Sequence, residues 1–530
     1  MIKEVEVRID LSKVGDDDHL FAKGAAKLFI DHTRIKHWEL IKRSIDARQR
    51  KPIFVYRLRF FIDEEPPLKE THLGNLSLVK DRPKVLIIGA GPAGYFAALE
   101  MIELGLCPIL FEQGKDVRAR RKDLKAIQQD GYVNDKSNYC FGEGGAGTYS
   151  DGKLYTRSHK RGKIIKVLEL LVEHGAKTDI LIDAHPHIGS NKLPQIVQNI
   201  RLTIEKFGGE IHFDSTMTDI LMKEDKCIGV VINNEKKYHA PAMVLATGHS
   251  ARSVYKLLDE KEISIEAKPF ALGVRIEHPQ GIIDEVQYNT QDRGELLPAA
   301  SYSLACQVDN RGVFSFCMCP GGMVVPAATA PGEIVVNGMS LSRRDSPFAN
   351  AGTVVAVEKE DLNGYEQHGK FAGLAFQQAV EQKMFAFGDS SQRAPAQRLT
   401  DFVLRRVSKD LGPSSYIPTL YSAPVHELLP KGIYARLQKG VQQFGKMMKG
   451  YYTEQANVIG VESRTSSPIK IPRNKDTFMH EDAVGLFPCG EGAGYAGGIV
   501  SAAMDGQNVA KAVARFLIPS ASYSDVNVTK

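Results

Sequence analysis

The sequence predicts an α/β protein with three parts: a discontinuous parallel-sheet domain in two pieces, a mixed α+β segment inserted between them, and a small α+β domain in front. Three observations predict it. The apolar strand KVLII at 84–88 runs into GAGPAG and a helix-like stretch over 92–104. Far downstream, GLFPCGEG at 485–492 repeats the strand-into-glycine-turn pattern and leads into a small-residue helix over 499–517. Between them, 269–460 mixes strand-like and helix-like runs. The expected boundaries are 1–83, 84–268, 269–460 and 461–530.

Composition narrows the function classes. At 43% hydrophobic and 25% charged, the chain has the balance of a soluble globular protein. A net charge of +5 over 530 residues is too thin to imply nucleic acid by itself. Seven cysteines argue against a disulfide scaffold and for a reducing compartment. MIKEVEVRID carries no apolar core of a secretory signal. The uncharged run 312–332 is interrupted by Pro320, Pro326 and Pro331, so no membrane helix is expected. A cytoplasmic location follows.

Each element has its own justification. Val5, Val7, Ile9 and Leu11 alternate with charged residues, the period of a half-buried strand. Helices are expected over 19–30 and 36–47, a second strand over 53–62, and a polar linker from Pro66-Pro67 to Pro83. Arg34, Lys36, Lys42, Arg43, Arg48, Arg50 and Lys51 face only Glu39 and Asp46, either a solvated face or a dock for an anionic partner such as RNA. Beyond the linker, a strand over 108–112 follows the first helix, with Gly105 as its C-terminal stop. Helices are expected over 163–174 and 193–207, and strands over 211–213, 227–232 and 243–247. The inserted segment carries strands at 270–276, 313–319 and 354–357 and helices near 370–386 and 433–447.

The GxGxxG pattern occurs at 89–94, 142–147 and 492–497, and context separates the three. Only the first follows an apolar strand, opens a helix and precedes a second strand ending in an acid, Glu112, about 20 residues on. Gly89 permits the turn, Gly91 admits a pyrophosphate against the backbone, and Gly94 lets helix and strand touch. Pro92 and Ala93 begin a helix whose N–H groups suit phosphates. Glu112, with Gln113 beside it, suits a ribose 2′-hydroxyl. The second turn, with Gly490 and Glu491, presents an acid to a ribityl chain, and the helix beginning near Gly498 and Ile499 faces a flavin pyrimidine edge. FAD is therefore expected rather than NAD, in a Rossmann-like domain. No second strand-preceded motif serves NAD(P)H, which is expected at most as a transient reductant.

The chain resembles the bacterial FAD-dependent flavoproteins of the glutathione-reductase type, and more narrowly the family labelled "NAD(FAD)-utilising dehydrogenase". GAGPAG at 89–94, GGAGTYSDGKL at 144–154, VLATGHSAR at 244–252, FSFCMCPGG at 314–322, NGMS at 337–340, ESRTSSP at 462–468 and PCGEGAGYAGGI at 488–499 carry it. The resemblance implies that Gly144, Gly145, Ser150 and Asp151 lie along the flavin, that Thr247-Gly248 ends a strand returning to the cofactor, and that Gly490, Glu491, Gly498 and Ile499 close the site.

Candidate catalytic residues follow from flavin chemistry, which needs only positioning and protons. Lys153 is placed to favour flavin reduction. Arg275 and Glu277 share a strand face at i, i+2. Cys317 and Cys319 form a CxC on a strand, where a bridge is strained and packing is the plain alternative. His185 and His187 have no cluster to complete a metal set, and no metal is expected. The function expected is an FAD-dependent oxidoreductase passing hydride between flavin and an unidentified small molecule. The alternatives are a flavin-dependent RNA-modifying enzyme that docks RNA through 1–80 and a non-catalytic flavin-binding sensor.

Overall fold

Alternating side chains of one five-stranded sheet divide half of the protein's interior into two layers. In this computed structural model, residues 1–49, 51–69, 71–155 and 162–518 are described; Arg50 of the basic run lies outside them. The sheet is wholly parallel, in the order Leu486–Pro488, Met243–Leu245, Lys84–Ile88, Cys107–Phe111, Glu210–His212. Val85 and Ile87 point to one side, against the helices Pro92–Glu103, Leu193–Lys206 and Ile499–Leu517. Leu86 and Ile88 point to the other, against the antiparallel strands Met217–Lys223 and Lys226–Ile232 and the helix Arg252–Glu260. Burial on both faces explains why these strands read as continuous apolar runs.

Helix Ile499–Leu517 packs along Pro92–Glu103 so closely that any Cβ at Gly506 would strike the Ala93 carbonyl. Strand and helix from the far end of the chain thus complete the unit that GAGPAG begins.

A second, seven-stranded sheet has the order Ala305–Val308, Arg311–Cys319, Phe348–Val357, Phe270–Pro279, Asn457–Glu462, Ala394–Arg398, Leu420–Ser422. The strands pair antiparallel except the last two. Phe270–Pro279 at its centre is buried almost throughout, and helix Lys431–Met447 lies against the sheet. Among the described residues, no helix is long and apolar enough to cross a membrane.

The N-terminal segment corrects the sequence expectation. The helix expected over 36–47 is a strand, Ile35–Asp46, paired antiparallel with Ile53–Ile62, which also pairs with Ile2–Ile9. One helix, Asp17–Leu28, covers this sheet. The register of Ile35–Asp46 shifts twice, between Ile35 and His37 and between Leu40 and Lys42. Each bulge moves the apolar set to the other parity, so the period of two is erased from the sequence. Several of the basic residues are already paired: Arg34 with Asp63, Arg43 with Asp183 and Arg48 with Asp46. The stretch after Pro66-Pro67 is also anchored, because the His72 and Leu73 N–H groups donate to Glu173.

Candidate functional site

Ile88 and Phe111, which end two of the parallel strands, and Ala246 and Cys489, which directly follow two others, line one cleft that holds about 1550 Å³ of empty space with its open mouth included. Ligands of open α/β sheets bind at such carboxyl ends. Gly91 caps helix Pro92–Glu103, whose unpaired N–H groups face this space, and Gly145 lies opposite. A Cβ built on Gly91 meets nothing closer than the Gly145 Cα at 3.9 Å. The two bare backbones pack against each other and leave beside them, at the cleft, a slot into which a Gly91 side chain would project. This slot fits a pyrophosphate, and the cleft continues from it in both directions.

Most of the expected cofactor residues line this cleft: Gly89, Gly91, Pro92, Ala93, Glu112, Gln113, Gly145, Ser150, Asp151, Thr247, Gly248, Glu491, Gly498 and Ile499. Gly94, Gly144 and Gly490 do not. Gly94 and Gly144 are packing positions where a Cβ would strike the Gly89 carbonyl and Thr148 respectively. Gly490 donates its N–H to Asp505 at 2.7 Å behind the cleft wall.

Glu112 departs from the simple ribose anchor. Its carboxylate accepts three backbone N–H groups, from Ala90 at 3.0 Å, Gly114 at 3.0 Å and Gly142 at 2.9 Å. It thereby ties three turns together, and a carboxylate with about four acceptor directions retains one for a hydroxyl. Arg120 supports the same turns. It is fully buried and donates to the carbonyls of Asn138, Tyr139, Glu143 and Gly145.

At the other end of the cleft stand Lys153, Cys317, Asn337 and Arg464. Lys153 donates to the Met318 carbonyl and lies 3.5 Å from Asp151. Burial pushes the Asp151 carboxyl up, but Lys153 and Arg344 outweigh it and hold it below the ordinary range. Burial lowers Lys153, and Cys317 and Asp151 outweigh that.

The expectation that Arg275 and Glu277 serve the flavin chemistry is corrected. Arg275 is fully buried behind the wall, paired with Glu462 at 2.7 Å and donating to Asn350 at 2.6 Å and Asn337 at 3.3 Å. Gly338 is where it is because a Cβ there would strike the Arg275 guanidinium and lie 2.8 Å from the Cys319 sulfur. Glu277 shares Arg275's strand but is enclosed by Ser415, and burial raises its carboxyl. Cys319 is also fully buried, and only Cys317 of the pair reaches the cleft.

Three wall residues were not singled out from sequence: His249, Asn337 and Arg464. Each stands inside a quoted segment, VLATGHSAR, NGMS or ESRTSSP, so the signal was there without a role. His249 Nδ1 lies 3.6 Å from the Glu491 carboxylate, on turns that abut where Gly492 meets the Gly248 backbone. Arg464 is held by Glu333 at 2.8 Å and Glu381 at 2.9 Å, and both acids also bind Arg252.

Comparison with known proteins adds identity. Residues 269–465 match the family described as "FAD-dependent protein, C-terminal domain-like", and residues 1–61 match a domain of unknown function. Among solved structures, the halogenase PltM in complex with FAD is 9% identical, with 83% of this chain and 70% of that one covered at a TM-score of 0.38. A geranylgeranyl bacteriochlorophyll reductase-like protein from Thermoplasma acidophilum is 12% identical, with 82% and 79% covered at 0.35. Both likenesses are too slight to bear on this chain's chemistry. A Clostridium beijerinckii protein described as "Uncharacterized protein" is 40% identical over 524 residues, 95% of this chain and 97% of its own. The chain belongs to the family of that Clostridium protein, and its 269–465 segment is of the FAD-dependent C-terminal type.

Proposed function

We propose that the protein is a flavin-dependent oxidoreductase that holds FAD in this cleft and passes hydride between it and a small-molecule substrate, with NAD(P)H as a transient reductant. One observation carries the reading: the side-chain-free slot beside Gly91 and Gly145, set at the helix N-terminus and opening into the cleft. FAD-type family membership over 269–465 supports it.

The residues present divide the work. Gly91 and the first turn of Pro92–Glu103 receive a diphosphate. Glu112 offers its remaining acceptor direction to a ribose hydroxyl. A flavin, when bound, supplies two-electron hydride chemistry. Lys153 places a positive charge at the far wall, where a developing negative charge is stabilised. His249, oriented by Glu491, is the wall imidazole able to give or take a proton.

The test is the visible spectrum of the purified protein, followed by anaerobic mixing with NADH and with NADPH. Stoichiometric flavin that bleaches with one donor is expected. A protein that is colourless and does not take up added FAD overturns the assignment.

A further inference from the structure

The strand Arg311–Cys319 is irregular where it meets the cleft. Phe316 pairs with Gly352 and Cys319 with Asn350, so the strand carries one residue more than its partner over this interval. Within the bulge, Cys317 takes φ 45°, in the left-handed region. A non-glycine residue there is strained, and such strain persists where its surroundings over-determine it. The bulge also removes the strict strand alternation on which a strained, flat CxC would rest.

Its consequence is an asymmetric pair of thiols. Cys317 lines the cleft and Cys319 is fully buried behind it. The Cys319 thiol donates to the Cys317 carbonyl at 3.3 Å, which holds it beside Cys317. Arg275 donates to the Cys317 carbonyl at 3.4 Å and reaches the Cys319 sulfur at 4.0 Å. Lys153 is held alongside by the Met318 carbonyl, between the two cysteines. Cys319, Lys153 and Arg275 together draw the Cys317 thiol well below the ordinary range against its burial, whereas burial pushes Cys319 up. A packing pair of small hydrophobes needs neither the two cations nor the strained backbone. A cleft-lining thiolate with a buried thiol in reserve is the arrangement of attacking and resolving groups.

We propose that Cys317 and Cys319 form a dithiol–disulfide couple that exchanges two electrons with the flavin of this cleft. This rests on the flavin reading above. In the oxidising direction, the Cys317 thiolate and the Cys319 thiol form a sulfur–sulfur bond, releasing two electrons and the Cys319 proton. The flavin takes up both electrons and one proton, becoming its reduced anion. The reverse step returns the electrons to the pair.

Anaerobic titration of the purified, air-oxidised holoprotein with dithionite tests it, with thiol alkylation and peptide mapping before and after. The expected uptake is about four electrons per flavin, against about two in Cys317→Ser and Cys319→Ser. Cys306→Ser, which alters a thiol outside the cleft, keeps the wild-type uptake. Mapping is expected to show a peptide with Cys317 and Cys319 linked before reduction and both alkylated after it. A yellow protein that takes up about two electrons, with both thiols alkylated before reduction, overturns the couple and leaves the flavin reading intact. A colourless protein that does not take up FAD overturns both.

Discussion

Replacing Gly91 separates ligand binding from folding. Gly91 has φ −80° and ψ −174°, extended backbone that any residue adopts, and its Cβ would meet nothing closer than 3.9 Å. The loss of unfolded-chain freedom in Gly91→Ala favours the fold by about 0.4–1 kcal/mol. The poorer alanine at a helix N-cap opposes it by a similar amount. The flavin-free protein should therefore keep its stability to within about 1 kcal/mol. The new carbon projects into the slot, however, and wedging an atom into a tight contact costs about 1–3 kcal/mol. That weakens FAD binding by roughly one to two decades. Gly91→Val, with two further carbons, should purify colourless. Gly94→Ala is the contrast, because its Cβ strikes the Gly89 carbonyl and destabilises the fold itself. Urea unfolding of flavin-stripped protein and fluorescence titration with FAD measure the two effects. Stoichiometric flavin in Gly91→Val, or apoprotein destabilisation equal to that of Gly94→Ala, would refute the reasoning.

Three other outcomes are expected. Arg275→Met leaves the buried Glu462 carboxylate uncompensated and should cost about 3–5 kcal/mol in urea unfolding; Arg275→Met with Glu462→Met should recover most of it. Glu112→Gln replaces one acceptor oxygen with an amide donor and orphans at least one of the Ala90, Gly114 and Gly142 N–H groups. The loss should be about 1–3 kcal/mol, read by the same unfolding curves. His278 is fully buried with Nε2 on the Tyr451 carbonyl, and burial lowers it from 6.5 to about 4. The unfolded chain therefore takes up this proton first, so stability is full above about pH 6.5 and falls as pH drops towards about 4, by about 3 kcal/mol from this group. His278→Phe should flatten that part of the pH–stability curve, and an unchanged slope would count against it.

How much was legible follows from which signals are local. The GAGPAG turn, Gly105, the paired strands and the terminal helix are local punctuation or period, and they reach the page intact. The strand Ile35–Asp46 did not, because two bulges cancel its alternation. Gly94, Gly144 and Gly490 looked alike as glycines. Only their neighbours show that they serve packing, whereas Gly91 and Gly145 serve the cleft.

By itself, the sequence determined the strand, the glycine turn and the helix that border the cleft, because hydrogen-bond geometry and the missing Cβ act over a few residues. Tertiary structure alone decided that Glu112 ties three turns, that Arg275 and Glu277 stand behind the wall, and that Cys317 faces the cleft while Cys319 does not. Burial and charge at those positions come from strands far apart in the chain, and no spacing along the sequence encodes which of them will meet.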